Sequence, residues 1–178
     1  MKKFLLLALL AVSSLCASAQ YYVGGSLGVM RDYTDKETNF AIAPEMGYSY
    51  SDHWGVGLVL NYVYKNYHAA VSNGFSFNPY ARLTYARVAD DRLKFFVDGG
   101  FDFGFAKKTG QDTGVFYHIG FKPGLAYDFN DHWSIVTHLG FLGYMGATKA
   151  GEEYGYHRKL GFDFSSLNLN FGLSYVFD

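Results

Sequence analysis

The groups in this sequence best equipped for chemistry are nine ionisable side chains embedded in otherwise apolar stretches. They are Glu45, Arg82, Lys94, Asp98, Asp102, His118, Lys122, Asp128 and His138. Within each stretch their spacings are even, which puts them on one face of an extended strand. Carboxylates and cations gathered in a dry space can pair, or can gate an ion path. Two further pairs, Asp52-His53 and Asp131-His132, resemble acid-base dyads, but each precedes a Trp and reads as a polar turn beside an anchoring ring. On the hairpin register derived below, His118 and His138 lie several residue pairs apart, too far to share a metal ion. Asp98 and Asp102 are four strand steps apart, about 13 Å at ~3.3 Å per residue. That exceeds the usual separation of a glycosidase carboxylate pair. No Gly-x-Ser-x-Gly elbow or phosphate loop occurs. No catalytic residue, metal ligand or cofactor site is therefore expected.

The elements that must position these groups are strands. The 178 residues suit one domain. Aromatics make up 20% and charged residues only 17%, which excludes a disordered chain. The formal charge of −1 leaves no cationic excess for nucleic acid. One Cys excludes a disulfide framework or a Cys-based zinc site. Period-two alternation runs through eight stretches: 21–30, 40–50, 54–64, 75–85, 93–105, 115–129, 133–145 and 167–177. In the seventh, Trp133, Ile135, Leu139 and Phe141 share the apolar face. In the eighth, Phe162 and Phe164 fall out of phase with Leu167 to Phe177, which predicts a bulge near Ser165-Ser166. No stretch has a helical period, so no helix is expected beyond the leader. Connections alternate between short (51–53, 88–92, 130–132) and long (31–39, 65–74, 106–114, 146–161). Pro44, Pro79 and Pro123 recur at similar places in the second, fourth and sixth strands, where bulges or bends are expected.

Residues 1–19 read as a cleavable signal peptide. Lys2-Lys3 precede the apolar run Phe4 to Val12, and Ala17-Ser18-Ala19 fits the small-x-small cleavage rule. Residues 20–178 then form the mature domain. The apolar run is shorter than the ~20 residues that span a bilayer as a helix.

Alternation does not say which face is inside. Eight strands enclose room for modest side-chain filling or one small ligand. Five or six large apolar side chains per strand cannot fit there. The opposite face is rich in Gly, which suits a crowded narrow lumen. The apolar face is therefore placed in lipid, and barrel closure satisfies every backbone polar group in the hydrocarbon. Trp54, Trp133, Tyr48 and Tyr127 fall near the short turns and are expected as interfacial anchors. If Phe105 lies opposite Val115, then Asp98 faces Lys122 and Asp102 faces His118. Arg82 reaches Asp98 diagonally, and Glu45 lies at similar depth across the lumen. The expectation is a Glu45–Arg82–Asp98–Lys122 cluster plugging the barrel, with Asp102 and His118 beside it. A gate over a narrow ion path is the alternative reading of the same residues. Apart from Thr137, the lipid face lacks the polar groups that an enzyme acting on lipid would need.

These features together resemble the outer-membrane β-barrel family of OmpA/OmpX type, often described as porin-like. The resemblance implies an all-β fold: an eight-stranded antiparallel up-and-down transmembrane barrel with both termini periplasmic. It implies residence in the outer membrane among lipid and lipopolysaccharide, and a structural or surface-interaction role, with a narrow channel for ions or small solutes as the alternative. The last strand, with Phe171, Tyr175 and Phe177, looks like the signal read by the barrel-assembly machinery, although Asp178 follows the aromatic residue that usually ends it. The loop 146–161, the longest and most charged, is the candidate surface for an extracellular partner.

Overall fold

The computed structural model describes residues 20–32, 37–67, 70–153, 157–163 and 170–177. The expected signal peptide and the expected bulge at Ser165-Ser166 lie outside them. Among the described residues ten strand segments follow one another: β1 (Gln20–Asp32), β2 (Glu37–Ser49), β3 (Trp54–Tyr67), β4 (Ala70–Val88), β5 (Leu93–Lys108), β6 (Gly114–Asp128), β7 (Trp133–His138), β8 (Phe141–Ala147), β9 (Lys159–Asp163) and β10 (Asn170–Val176). All pairing is antiparallel. β7 and β8 both pair with β6 and are two parts of one seventh strand. β10 pairs with β7 and β9 with β8, so these two make the eighth. β10 returns to β1, and the sheet closes as an eight-stranded barrel.

Large apolar side chains point outward along the wall. Leu27, Val29, Met46, Val56, Phe75, Ile119, Phe121, Leu142 and Leu173 are all exposed. The lumen holds the buried side chains of Tyr22, Ser76, Asn78, Tyr80, Phe96, Asp98, Phe116 and Val136. The inside-out pattern follows from size, because an eight-stranded lumen accepts only a few rings.

Those few rings explain many of the inward glycines. A Cβ at Gly47 would collide with the Tyr22 ring, and one at Gly57 with the Tyr80 hydroxyl. Gly104 lies under Phe116 and Gly124 under Phe96. A ring from the neighbouring strand lies flat across each glycine and takes the space its side chain would fill.

The three prolines have a common cause too. Pro44 falls where the β2–β3 ladder skips from Ile42↔Tyr62 to Glu45↔Val59. Pro79 falls where β4–β5 skips from Phe77↔Phe103 to Tyr80↔Gly100. In both places the register continues unchanged, so these are missing ladder bonds and not bulges. Pro123 sits where three residues, Leu139 to Phe141, oppose two on β6, and its carbonyl accepts from the Leu139 N–H at 2.8 Å. Each proline lacks a donor toward the next strand, and the ladder is interrupted there.

The extra residue in the seventh strand overturns one expectation. Leu139-Gly140 shifts the parity, so Phe141 turns into the lumen and not toward lipid. Its ring lies 6.1 Å from His118 and packs over Gly120 and Gly143. Leu142 takes the outward position. A second correction concerns the stretches expected as long loops. β1 and β2, β3 and β4, and β5 and β6 run on into them. In the fourth, a short helix α1 (Lys149–Glu153) forms where none was expected. Thr148 caps it: its hydroxyl accepts from Gly151 N–H at 3.3 Å.

At the opposite end, the repeated Asp-His-Trp segments form matching turns. The Ser51 hydroxyl accepts from Trp54 N–H at 3.0 Å, and the Asn130 side-chain oxygen from Trp133 N–H at 2.8 Å. The Tyr50 N–H reaches the Trp54 carbonyl at 3.1 Å, and the Phe129 N–H the Trp133 carbonyl at 2.9 Å. Asp52, His53 and Asp131 are exposed in these turns.

Candidate functional site

Alternation on β2, β4 and β5 delivers Glu45, Arg82 and Asp98 to one level of the lumen. Arg82 and Asp98 are direct cross-strand partners. The guanidinium donates to both carboxylate oxygens, Nε to Oδ1 at 2.7 Å and Nη2 to Oδ2 at 2.8 Å. The same Nη2 reaches Glu45 Oε1 at 3.3 Å. Each carboxylate has a second partner. His138 Nε2 lies 2.9 Å from Asp98 Oδ2, and the Tyr80 hydroxyl donates to Glu45. Tyr22 and Tyr80 join their hydroxyls at 2.7 Å. Three rings enclose the cation, with Arg82 Cζ 4.1 Å from the Phe96 centroid, 5.1 Å from Tyr80 and 5.8 Å from Tyr22.

The network thus ties β1, β2, β4, β5 and β7 together across the interior. Bidentate geometry, aromatic contact and second donors are what a buried ion group needs to offset lost hydration. One guanidinium serves two carboxylates, so removing it leaves more than one charge unmatched.

Lys122 and Asp98 are register partners, as are His118 and Asp102. Lys122 nevertheless forms no ion pair among the described residues, and His138 occupies the place beside Asp98 that Lys122 was expected to fill. His118 Nδ1 stands 3.8 Å from Asp102 Oδ2, beyond hydrogen-bond reach. Toward the turns, Lys94 pairs with Asp128 at 2.6 Å, and Ser134 donates to Asp128 at 2.6 Å. Between that pair and Arg82 lies a cavity of about 150 Å³. On the other side, beside Asp102, His118 and Lys122, only about 10 Å³ is open. Among the described residues, no group of three His, Cys, Asp or Glu converges as metal ligands.

Tyr22, Tyr80 and Phe96 are inward residues that the sequence analysis does not single out, because they carry no charge. The signal was present: Tyr80 and Phe96 each sit two residues before an inward charge, Arg82 and Asp98, and Tyr22 lies opposite inward Gly47.

Outside, Trp54, Trp133 and Tyr127 are exposed near the turns, and Tyr48 meets Tyr21 in a tilted contact with centroids 4.9 Å apart. Trp133 meets Tyr175 at 5.1 Å, and Tyr175 meets Phe177 at 5.0 Å. Phe171 and Phe177 point outward from the closing strand and its end.

The family model described as "Outer membrane protein beta-barrel domain" matches residues 4–177. No curated protein matches. Among solved structures, the chain is similar to the outer membrane protein OprG from Pseudomonas aeruginosa, at 11% identity over 89% of this chain and 93% of that one, with a TM-score of 0.45. It is also similar to OmpT of Vibrio cholerae, at 12% identity over 89% of this chain, with a TM-score of 0.42. It spans about half of OmpT, 52% of that chain.

Proposed function

This chain belongs to the outer membrane β-barrel family, and on that premise we propose that it is a structural and surface-interaction element of the outer membrane and not a conduit. One observation carries the reading: the Arg82 network joins five strands across the lumen, where a path would have to run. The alternative, a narrow channel for ions or small solutes, would need this network to part.

The short turns lie at the same end of the barrel as Gln20 and Phe177, the outermost described residues, and we place that end in the periplasm. Trp54, Trp133, Tyr48 and Tyr127 then form the inner interfacial girdle, against headgroups and acyl chains. Phe171, Tyr175 and Phe177 present the closing strand to the assembly machinery. The outer hairpins and the α1 segment, where Arg158 reaches Glu152 at 3.5 Å, face outward among lipopolysaccharide and offer a surface to an extracellular partner.

Planar-bilayer recording of the purified barrel tests the choice. The plugged reading predicts no steady conductance for the wild type. Steady conductance that changes in Arg82→Ala or Asp98→Ala would overturn it.

A further inference from the structure

A bulge at the turn end of β4 sets one cation apart. Along that strand Tyr80, Arg82 and Thr84 face the lumen, and Thr84 pairs with Phe96 on β5. The next rung joins Ala86 to Phe95, so Tyr85 is an extra residue. Tyr85 is exposed on the outside, with its ring 6.3 Å from the Phe95 ring. The parity of β4 reverses there. Arg87 then pairs with Lys94, on the lumen-facing register of β5. Without the bulge, Arg87 would stand on the lipid-facing register with Leu83 and Tyr85.

Two cations therefore meet on one rung, an arrangement that is unfavourable without an anion beside it. Asp128 is at hand, but it is already engaged. Its Oδ2 holds Lys94 Nζ at 2.6 Å, and its Oδ1 accepts from the Ser134 hydroxyl at 2.6 Å. Arg87 pairs with no carboxylate among the described residues. Its Nη2 donates to the Asp52 backbone carbonyl, while its Nε is shut from solvent and has no acceptor among the described residues. Asp52 itself is exposed in the turn. A carbonyl satisfies a hydrogen but carries no net charge, and a donor left without an acceptor is costly. Both cations line the cavity of about 150 Å³ below Arg82, and so do Ser49, Thr84 and Ser174. Exposed Gln20 and Asp52 mark its open end at the turns. The space is below the ~300 Å³ where drug-sized ligand sites begin, and it suits a small anion.

We propose that this vestibule is a binding site for one oxyanion, a carboxylate or phosphate group that enters from the turn end. One oxygen accepts from the Arg87 guanidinium and another from the Lys94 ammonium, which keeps two hydrogens beyond the one given to Asp128. The hydroxyls of Ser49, Thr84 and Ser174 complete a polar lining. Arg82 closes the inner end and stays with Asp98 and Glu45. The site needs no path through the Arg82 network, so it stands whether or not the barrel conducts.

The test titrates the purified full barrel, in nonionic detergent at constant ionic strength, with inorganic phosphate and, in a second arm, with carbon-labelled acetate. Binding is read from the broadening of the phosphorus or carbon NMR line, and folding of every variant from heat-modifiable gel mobility. Saturable broadening is expected, and the arm that saturates identifies phosphate or carboxylate as the group. Arg87→Gln should weaken binding about tenfold. Arg92→Gln removes an exposed cation that does not line the cavity and should leave binding unchanged. Asp128→Asn takes away the competing carboxylate and frees Lys94, so it should tighten binding several-fold. A merely structural role for Arg87 and Lys94 would give no such gain. If Arg87→Gln does not fold, Asp128→Asn decides alone. No saturation in either arm, equal weakening by Arg87→Gln and Arg92→Gln, or no tightening in Asp128→Asn overturns the proposal.

Discussion

Replacing Arg82 by Met tests the central ion group most severely. Met keeps an unbranched stem, but it removes the guanidinium that lies 4.1 Å from the Phe96 centroid, two bonds to Asp98, at 2.7 and 2.8 Å, and one to Glu45 at 3.3 Å. Asp98 is 5% exposed and Glu45 12%, so neither carboxylate can turn to solvent for compensation. Breaking a buried pair by deleting one partner costs about 3–5 kcal/mol. His138 still faces Asp98 and Tyr80 still donates to Glu45, so the lower end, about 3 kcal/mol, is expected. Adding Asp98→Asn removes one unmatched charge and should recover about 1–2 kcal/mol. The assay is a urea titration of the barrel in phosphatidylcholine vesicles, followed by Trp fluorescence and by gel mobility of the unheated protein. A single variant within about 0.5 kcal/mol of wild type, or a double variant no more stable than the single, would refute the reasoning.

Other positions give sharp expectations in the same titration. Gly57→Val should cost about 1–3 kcal/mol, because its side chain collides with Tyr80, and the same change should cost much less when made in a Tyr80→Ala background. Asn130→Ala removes the acceptor for both His132 and Trp133 N–H and should cost about 1 kcal/mol, more than Ser51→Ala, which frees one N–H. Ala89, Asp90 and Asp91 all have positive φ, at 56°, 53° and 65°, in the turn before β5. Ala89→Gly should therefore stabilise by ~0.5–1 kcal/mol, and a loss of stability would contradict the turn geometry.

Period-two patterning made most of the wall legible. The β5–β6 register follows from the length of one hairpin, and with it the pairing of Asp98 with Lys122 and of Asp102 with His118. What alternation cannot show is an inserted residue. Leu139-Gly140 reverses the parity of the seventh strand, so Phe141 turns inward and the outward sequence resumes at Leu142. Nor does register decide side-chain partners. Lys122 stands opposite Asp98, yet Arg82 and His138 take both carboxylate oxygens, since a rigid fork and a short imidazole reach them with good geometry. Strand ends are not legible in the sequence, because polar residues beyond the hydrocarbon look like loop while still pairing as strand. The prolines became intelligible only with the ladders in place, where each coincides with a missing bond to the next strand.

A nitroxide scan along β6 tests the central claim most directly. Single cysteines from Val115 to Tyr127, in a Cys16→Ser background, would be spin-labelled in vesicles and their relaxation by dissolved oxygen measured. Odd-numbered positions, including Tyr117, Ile119, Phe121 and Leu125, should show high oxygen contact from the acyl chains, and even-numbered ones, including His118, Lys122 and Ala126, low contact. The reverse assignment, or no alternation, would contradict a barrel that turns its apolar face to lipid and keeps its charges inside.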